Sequence, residues 1–254
     1  MKIIKILLTS LVAFTLISAA NAQQTIRVAV AANLALPMQP IKQAFEKQHP
    51  DVKVEIISAS SGKLTAQIKN KAPFHIFISA NMFYPENLHQ DGIARNTPQI
   101  VTYGRLVFWS KSAVSENNII SFLNESNTKT IAIAQPELAP YGANAKNWLM
   151  QHDNWENVQA KIVYGESVGK VNQYIYSESV NAAFTAASAM YGKQLKDKGH
   201  WQVVKDWQGI PHGGMVLNYG IDHEAKASSD FFKFLFSQEA QKVFDSFGYD
   251  STEN

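Results

Sequence analysis

The run Ile56-Ile57-Ser58-Ala59-Ser60-Ser61-Gly62-Lys63-Leu64-Thr65-Ala66-Gln67-Ile68 ends a β-branched strand on small hydroxyl residues and enters a helix at once. A helix that begins on Ser-Ser-Gly presents free backbone N–H groups, the positive end of the helix dipole and two hydroxyls at one point. Gly62 lets a ligand reach the backbone there. The same residues also make an ordinary cap and turn. Whether this is an anion seat therefore depends on whether other strand ends build the same feature.

Upstream, residues 25–32 (TIRVAVAA) form a compact strand with Asn33 at its end, and Leu36, Ile41, Ala44 and Phe45 follow at helical spacing. Strand 52–57 feeds the quoted stretch and a helix over 63–70, strand 74–79 (FHIFIS) follows, and a short helix over 84–90 closes at Gly92. Strands alternating with helices predict βαβ units and a mostly parallel sheet. Residues 101–109 (VTYGRLVFW) read as one longer strand interrupted by Gly104, and a crossing between two units is placed there. The pattern then restarts with strands 129–134, 161–164 and 180–185 and helices 143–151, 168–176 and 188–196. Strand 201–204 returns from this unit, a Pro-His-Gly-Gly turn at 211–214 leads into strand 215–219, and helices 224–236 and 238–247 finish the chain. This predicts an α/β protein of two lobes, each a mostly parallel sheet flanked by helices, with a cleft between them. Lobe 1 is drawn as 23–103 plus 208–254 and lobe 2 as 104–207.

Residues 1–22 read as a secretory signal peptide: Lys2 and Lys5, an apolar run over 6–19, and Ala20-Asn21-Ala22 before Gln23. The apolar run is short of the roughly 20 residues of a spanning helix. No Cys follows the cleavage site, so no lipid anchor is expected, and the mature chain is placed in the periplasm. Removing this segment lowers the basic count from 23 to 21, against 21 acidic residues. A neutral chain gives no argument for a nucleic-acid or membrane-surface partner. It has no cysteines, so stability rests on packing.

Four strand-to-helix junctions matter: Ala32-Asn33-Leu34, Ser60-Ser61-Gly62, Pro140-Tyr141-Gly142-Ala143 and Glu166-Ser167-Val168-Gly169. In open α/β sheets ligands bind outside the carboxyl ends of the strands, where such junctions gather. Two from each lobe converge on one cleft, which suits a small anion held by N–H and hydroxyl donors without a counter-ion.

With Ala31-Ala32-Asn33-Leu34, then Ala59 to Ile68, then Ala72-Pro73 leading into Phe77-Ile78-Ser79-Ala80, the sequence resembles the periplasmic molybdate-binding proteins of ABC transporters. Pro136-Glu137-Leu138-Ala139-Pro140-Tyr141-Gly142-Ala143 and Glu166-Ser167-Val168 fit as well. The resemblance implies a type II periplasmic binding protein that closes on molybdate or tungstate and delivers it to a membrane permease. It implies a monomer with no cofactor. By position, it implies that the oxyanion is bound by Ser61 through hydroxyl and N–H, by the N–H groups of Tyr141 and Val168, and by Asn33, where many members have Ser. Thr185 stands where many members have a ligand-binding Tyr. Tyr141 replaces a small residue, and if only its N–H binds, its ring is free to cover the cleft mouth.

Other readings compete. Gly165-Glu166-Ser167-Val168-Gly169 matches the nucleophile elbow of serine hydrolases, with Asp206 and His212 downstream in triad order. A receptor for an amino acid needs a carboxylate for the ammonium, and only Glu137 and Glu166 lie near the junctions. Sulfate is the closer competitor, because it too needs donors only, whereas hydrogen phosphate also needs an acceptor. Ser61-Gly62-Lys63-Leu64 lacks the upstream Gly and the Mg²⁺-binding hydroxyl of a P-loop. The 7 histidines show no metal-ligand spacing, so no metal-cation site is expected.

Overall fold

The computed structural model describes residues 23–205 and 209–251. The expected signal peptide (1–22), the boundary expected at 207/208 and Asp206 of the competing triad lie outside the described residues. The strands are β1 (Gln24–Ala31), β2 (Val52–Ala59), β3 (Ile76–Ile78), β4 (Gln99–Gly104), β5 (Leu106–Ser110), β6 (Ile131–Ala134), β7 (Ile162–Gly165), β8 (Ala182–Ala186), β9 (His200–Val203) and β10 (Ile210–Val216). They form two five-stranded sheets, ordered β2-β1-β3-β10-β4 and β7-β6-β8-β5-β9.

Each sheet is mixed. In the first, β2, β1 and β3 run parallel, and β10 is antiparallel to both β3 and β4. In the second, β7, β6 and β8 run parallel, while β5 is antiparallel to β8 and β9. The antiparallel strands are those by which the chain changes lobe: it leaves on β4 and β5 and comes back on β9 and β10. Neighbouring parallel strands need a crossover connection, here helical, so the strand–helix alternation reveals those strands and not the returning ones.

The central strands are apolar because helices cover both faces. In β1, Ile26, Val28, Ala29 and Val30 are fully buried, and in β6 Ile131, Ala132, Ile133 and Ala134 are. Each large aliphatic side chain so buried contributes about 1.5–3 kcal/mol. One core backs each face of the first sheet and another fills lobe 2. The C-terminal helix Gln238–Ser246 is capped by Ser237, whose hydroxyl accepts from the Ala240 N–H at 3.2 Å.

Some local expectations change. Residues 101–109 are two strands in different sheets, divided at Arg105. The Pro-His-Gly-Gly sequence lies inside β10 rather than in a turn. Pro211 is tolerated because the backbone groups of its register partner Tyr103 go instead to Asp250, at 3.0 and 2.8 Å. Gly213 and Gly214 admit Met82, Pro85 and Phe232, which a Cβ would strike. The helix expected over 188–196 is only Ala187–Met190, while the one expected from 143 begins at Pro140, a residue suited to a first turn.

Candidate functional site

The four junctions meet where the lobes face each other. They enclose a cavity of about 10 Å³, lined from lobe 1 by Ala31, Ala32, Asn33, Ser60, Ser61 and Ala80 and from lobe 2 by Ala139, Pro140, Tyr141, Ser167 and Val168. None of these lining residues carries a charged side chain. The polarity comes from the backbone. Helices Ser61–Lys69, Pro140–Gln151 and Val168–Tyr176 all start at the cavity, and the N–H groups of Ser61, Tyr141 and Val168 lie in first turns, where no acceptor exists within the helix. The three dipoles add positive potential at one point.

The hydroxyls are equally telling. Ser61 is 1% exposed and its Oγ accepts the Ala80 N–H at 3.1 Å, which leaves its own proton to donate. Ser60 and Ser167 occupy N-cap positions with extended backbone, yet neither side chain makes a cap bond, in contrast to Ser237. The Ser60 Oγ is buried without a partner among the described residues. A buried hydroxyl left unpaired costs about 1–3 kcal/mol, and a ligand oxygen placed in the cavity would remove that cost. Ser60 and Ser167, which the resemblance does not give as ligands, also line the cavity. The signal was present, since both sit directly before a helix, but an N-cap serine is normally assigned to capping.

Other expected residues have different placements. Asn33 lines the cavity, but its Nδ2 donates to the Tyr249 hydroxyl at 2.8 Å and lies 2.6 Å from Nε2 of His212. Thr185 is not brought to the cavity: it pairs with Val107 inside the second sheet and its hydroxyl donates to Asn172 Oδ1 at 2.7 Å. The Tyr141 ring does not cover the mouth. It is 2% exposed, with its centroid 6.0 Å from that of His212, and only the missing side chain of Gly104 makes room for its hydroxyl. Burial raises its pKa well above the usual range, so it stays neutral.

The lobes touch directly across the cleft. Gly62 N–H donates to the Leu138 carbonyl at 2.9 Å, the Tyr84 hydroxyl to the Glu137 carbonyl at 3.1 Å, and the Ser188 hydroxyl to the Asn33 carbonyl at 2.8 Å. At the rim, Lys63 pairs with Glu166 at 3.2 Å. Glu166 is thereby engaged, and the Glu137 carboxylate accepts from Gln135 Nε2 at 2.6 Å. Neither lines the cavity as the carboxylate an organic ammonium requires. The hydrolase arrangement fails on geometry as well: both ring nitrogens of His212 are occupied by Ile210 and Asn33 rather than by Ser167.

Burial lowers His75 and His212 to a pKa of about 4, so both are neutral in the folded protein. The unfolded chain takes up these protons near pH 6.5. Between those values the unfolded state binds more protons, so stability is full above pH 6.5 and falls as the pH drops toward 4. Denaturant titrations at pH 7 and pH 5 are expected to differ by about 2 kcal/mol from His212 alone. Equal midpoints would show that the ring is protonated freely in the fold.

Known proteins resemble this chain over most of its length. The sequence model of the bacterial extracellular solute-binding proteins matches residues 26–250. The molybdate-binding protein of Azotobacter vinelandii is 32% identical over 96% of each chain, and that of Rhodobacter capsulatus is 29% identical over 87% of this chain and 86% of its own. The structure of an Azotobacter vinelandii periplasmic molybdate-binding protein superposes with a TM-score of 0.81 at 26% identity, covering 90% of this chain and all of that one. A sulfate-binding protein from Mycobacterium tuberculosis shares the fold at a TM-score of 0.74 and 14% identity, covering 91% of this chain and 88% of that one. The chain belongs to the bacterial extracellular solute-binding proteins, a family of receptors rather than enzymes.

Proposed function

We propose that this protein is a periplasmic receptor that closes on molybdate, and also on tungstate, and hands it to the permease of an ABC importer. One observation carries the reading: first-turn N–H groups from both lobes and the hydroxyls of Ser60 and Ser61 surround a cavity lined by no charged side chain. A fully deprotonated tetrahedral ion needs just such donors. The named relatives support the choice of ion. In this reading Ser61 binds through hydroxyl and N–H, Ser60 through its hydroxyl, and Asn33, Tyr141 and Val168 through their N–H groups. Thr185 has no part, because its hydroxyl is engaged elsewhere.

Each bond to a charged acceptor contributes about 1.5–3 kcal/mol. Micromolar affinity requires only about 8 kcal/mol, so a handful of such bonds suffices after closure is accounted for. The ion stabilises the closed form because only there do both sets of donors reach it.

Calorimetric titration with molybdate, tungstate, sulfate and phosphate tests the assignment. Molybdate and tungstate are expected to bind, and absence of heat with either overturns it. Ser61→Ala is expected to weaken molybdate about 10- to 100-fold, the cost of one charge-assisted bond. An unchanged Kd would remove Ser61 from the site.

A further inference from the structure

Behind the cavity lies a buried polar cluster that joins four parts of the chain. Asn33 is 4% exposed, His212 on β10 is fully buried, Tyr249 near the C-terminus is 4% exposed, and Ser188 of lobe 2 is 2% exposed. The backbone carbonyl of Asn33 accepts from both the Tyr249 hydroxyl and the Ser188 hydroxyl, each at 2.8 Å. Its side-chain amide faces Tyr249 and His212.

The proton positions in this cluster follow from one carbonyl. His212 Nδ1 lies 2.8 Å from the Ile210 carbonyl, which can only accept, so Nδ1 carries the hydrogen. In a neutral imidazole Nε2 is then a bare acceptor. The Asn33 atom 2.6 Å away must therefore be the NH₂ group, and its two hydrogens go to His212 and Tyr249. The titratable groups packed against the ring are Tyr141 and Tyr249, both held neutral by burial. Arg105 and Asp250, which follow Gly104 and Tyr249 in the chain, are paired with each other at 2.9 Å.

Asn33 is thus fixed at both its amide and its carbonyl, and it sits in the short helical turn Ala32–Leu34, of which Ala32 and Asn33 line the cavity. We infer that His212 and Tyr249 are positioning residues of the ion site. They hold the Asn33 turn in register, and Ser188 completes its bonding only when lobe 2 closes. The Asn33 side chain is a strut rather than a ligand. This inference rests on the receptor reading above, and it links lobe closure and the C-terminal segment to the aim of the lobe 1 donors.

The test combines molybdate calorimetry on the wild type, Tyr249→Phe, His212→Leu and His212→Gln with ¹⁵N NMR of the histidines in the wild type. Tyr249→Phe and His212→Leu are each expected to raise Kd about tenfold, through a faster off-rate. His212→Gln, which keeps a carbonyl acceptor for the Asn33 amide, recovers most of that loss. His212 is expected as the Nδ1–H tautomer. A purely structural role would lower the melting temperature of the variants and leave Kd of the folded protein unchanged. Wild-type Kd in both Tyr249→Phe and His212→Leu overturns the inference while leaving the receptor assignment standing. Should His212→Leu fail to fold, Tyr249→Phe, which removes one oxygen, and the tautomer decide alone. An Nε2–H tautomer would reverse the Asn33 amide and overturn the inference. A wild type that binds no oxyanion defeats the receptor reading itself.

Discussion

Gly62→Val is expected to cost about 100-fold or more in molybdate affinity while leaving the ion-free protein folded, because the added side chain props the lobes apart. At Gly62 the backbone of lobe 1 lies against that of Leu138 in lobe 2. A Cβ there would lie 2.9 Å from the Tyr84 hydroxyl and 3.1 Å from both Cα and O of Leu138 on the opposite lobe. The Leu138 atoms are backbone and cannot rotate away, and the branched methyls of valine add bulk that a closed cleft has no space for. The substitution also displaces the Gly62 N–H from the Leu138 carbonyl, a bond of 2.9 Å between the lobes. Within lobe 1 the residue lies in the first turn of a helix, where valine is tolerated at a cost of well under about 1 kcal/mol. Affinity and stability should therefore separate. Titration calorimetry with molybdate, beside thermal denaturation without it, measures the two. Wild-type affinity in Gly62→Val would show that binding does not require this contact.

Gly142→Ala is expected to destabilise the protein by about 3 kcal/mol or more and to weaken ion binding with it. In an exposed helix the same change is stabilising by about 0.5–1 kcal/mol, because alanine has less backbone freedom to lose. Here the sign reverses. A Cβ on Gly142 would lie 2.0 Å from the Ala134 carbonyl oxygen and 2.6 Å from its carbon, both part of strand β6. To relieve the clash, helix Pro140–Gln151 must lift from the sheet at the turn that carries the Tyr141 N–H, so core and site are disturbed together. Chemical denaturation with and without molybdate reads both effects. A midpoint equal to that of the wild type would mean that the helix can shift without loss.

How much of this was legible in advance differs by residue. The strand-to-helix junctions could be read because each is local. A β-branched run followed by Ser-Ser-Gly or Pro-Tyr-Gly states where a strand stops and where a helix with free N–H groups begins. Helix Val168–Tyr176 begins and ends at the residues expected from periodicity. The start of the antiparallel strand β10 is not legible in the sequence, because Pro, His and two glycines at 211–214 are poor strand formers when judged locally. They are acceptable only because Tyr103 pairs with Asp250 and because large side chains need the space above the glycines.

The same division runs through the site. Ser61 and Val168 line the cavity. By sequence the Ser60 hydroxyl serves a cap or an anion equally well, and only the absence of a cap bond among the described residues, together with its burial, marks it as uncommitted. Thr185 is implied by the resemblance alone, but Asn172, thirteen residues earlier, takes its hydroxyl. No spacing rule gives that partner.

The amino-acid sequence by itself determined the alternation of strands and helices and the chemistry of their junctions, the donor-rich turn at Ser60-Ser61-Gly62 among them. These depend on φ/ψ preferences and on hydrogen bonding within a few residues. Tertiary structure decided which donors remain unspent, how closely Gly62 approaches Leu138, and that Asn33 is held by His212, Tyr249 and Ser188 from 155 to 216 residues away. Donors and acceptors are matched through space, so their allocation is settled only once the lobes and the C-terminal segment have come together.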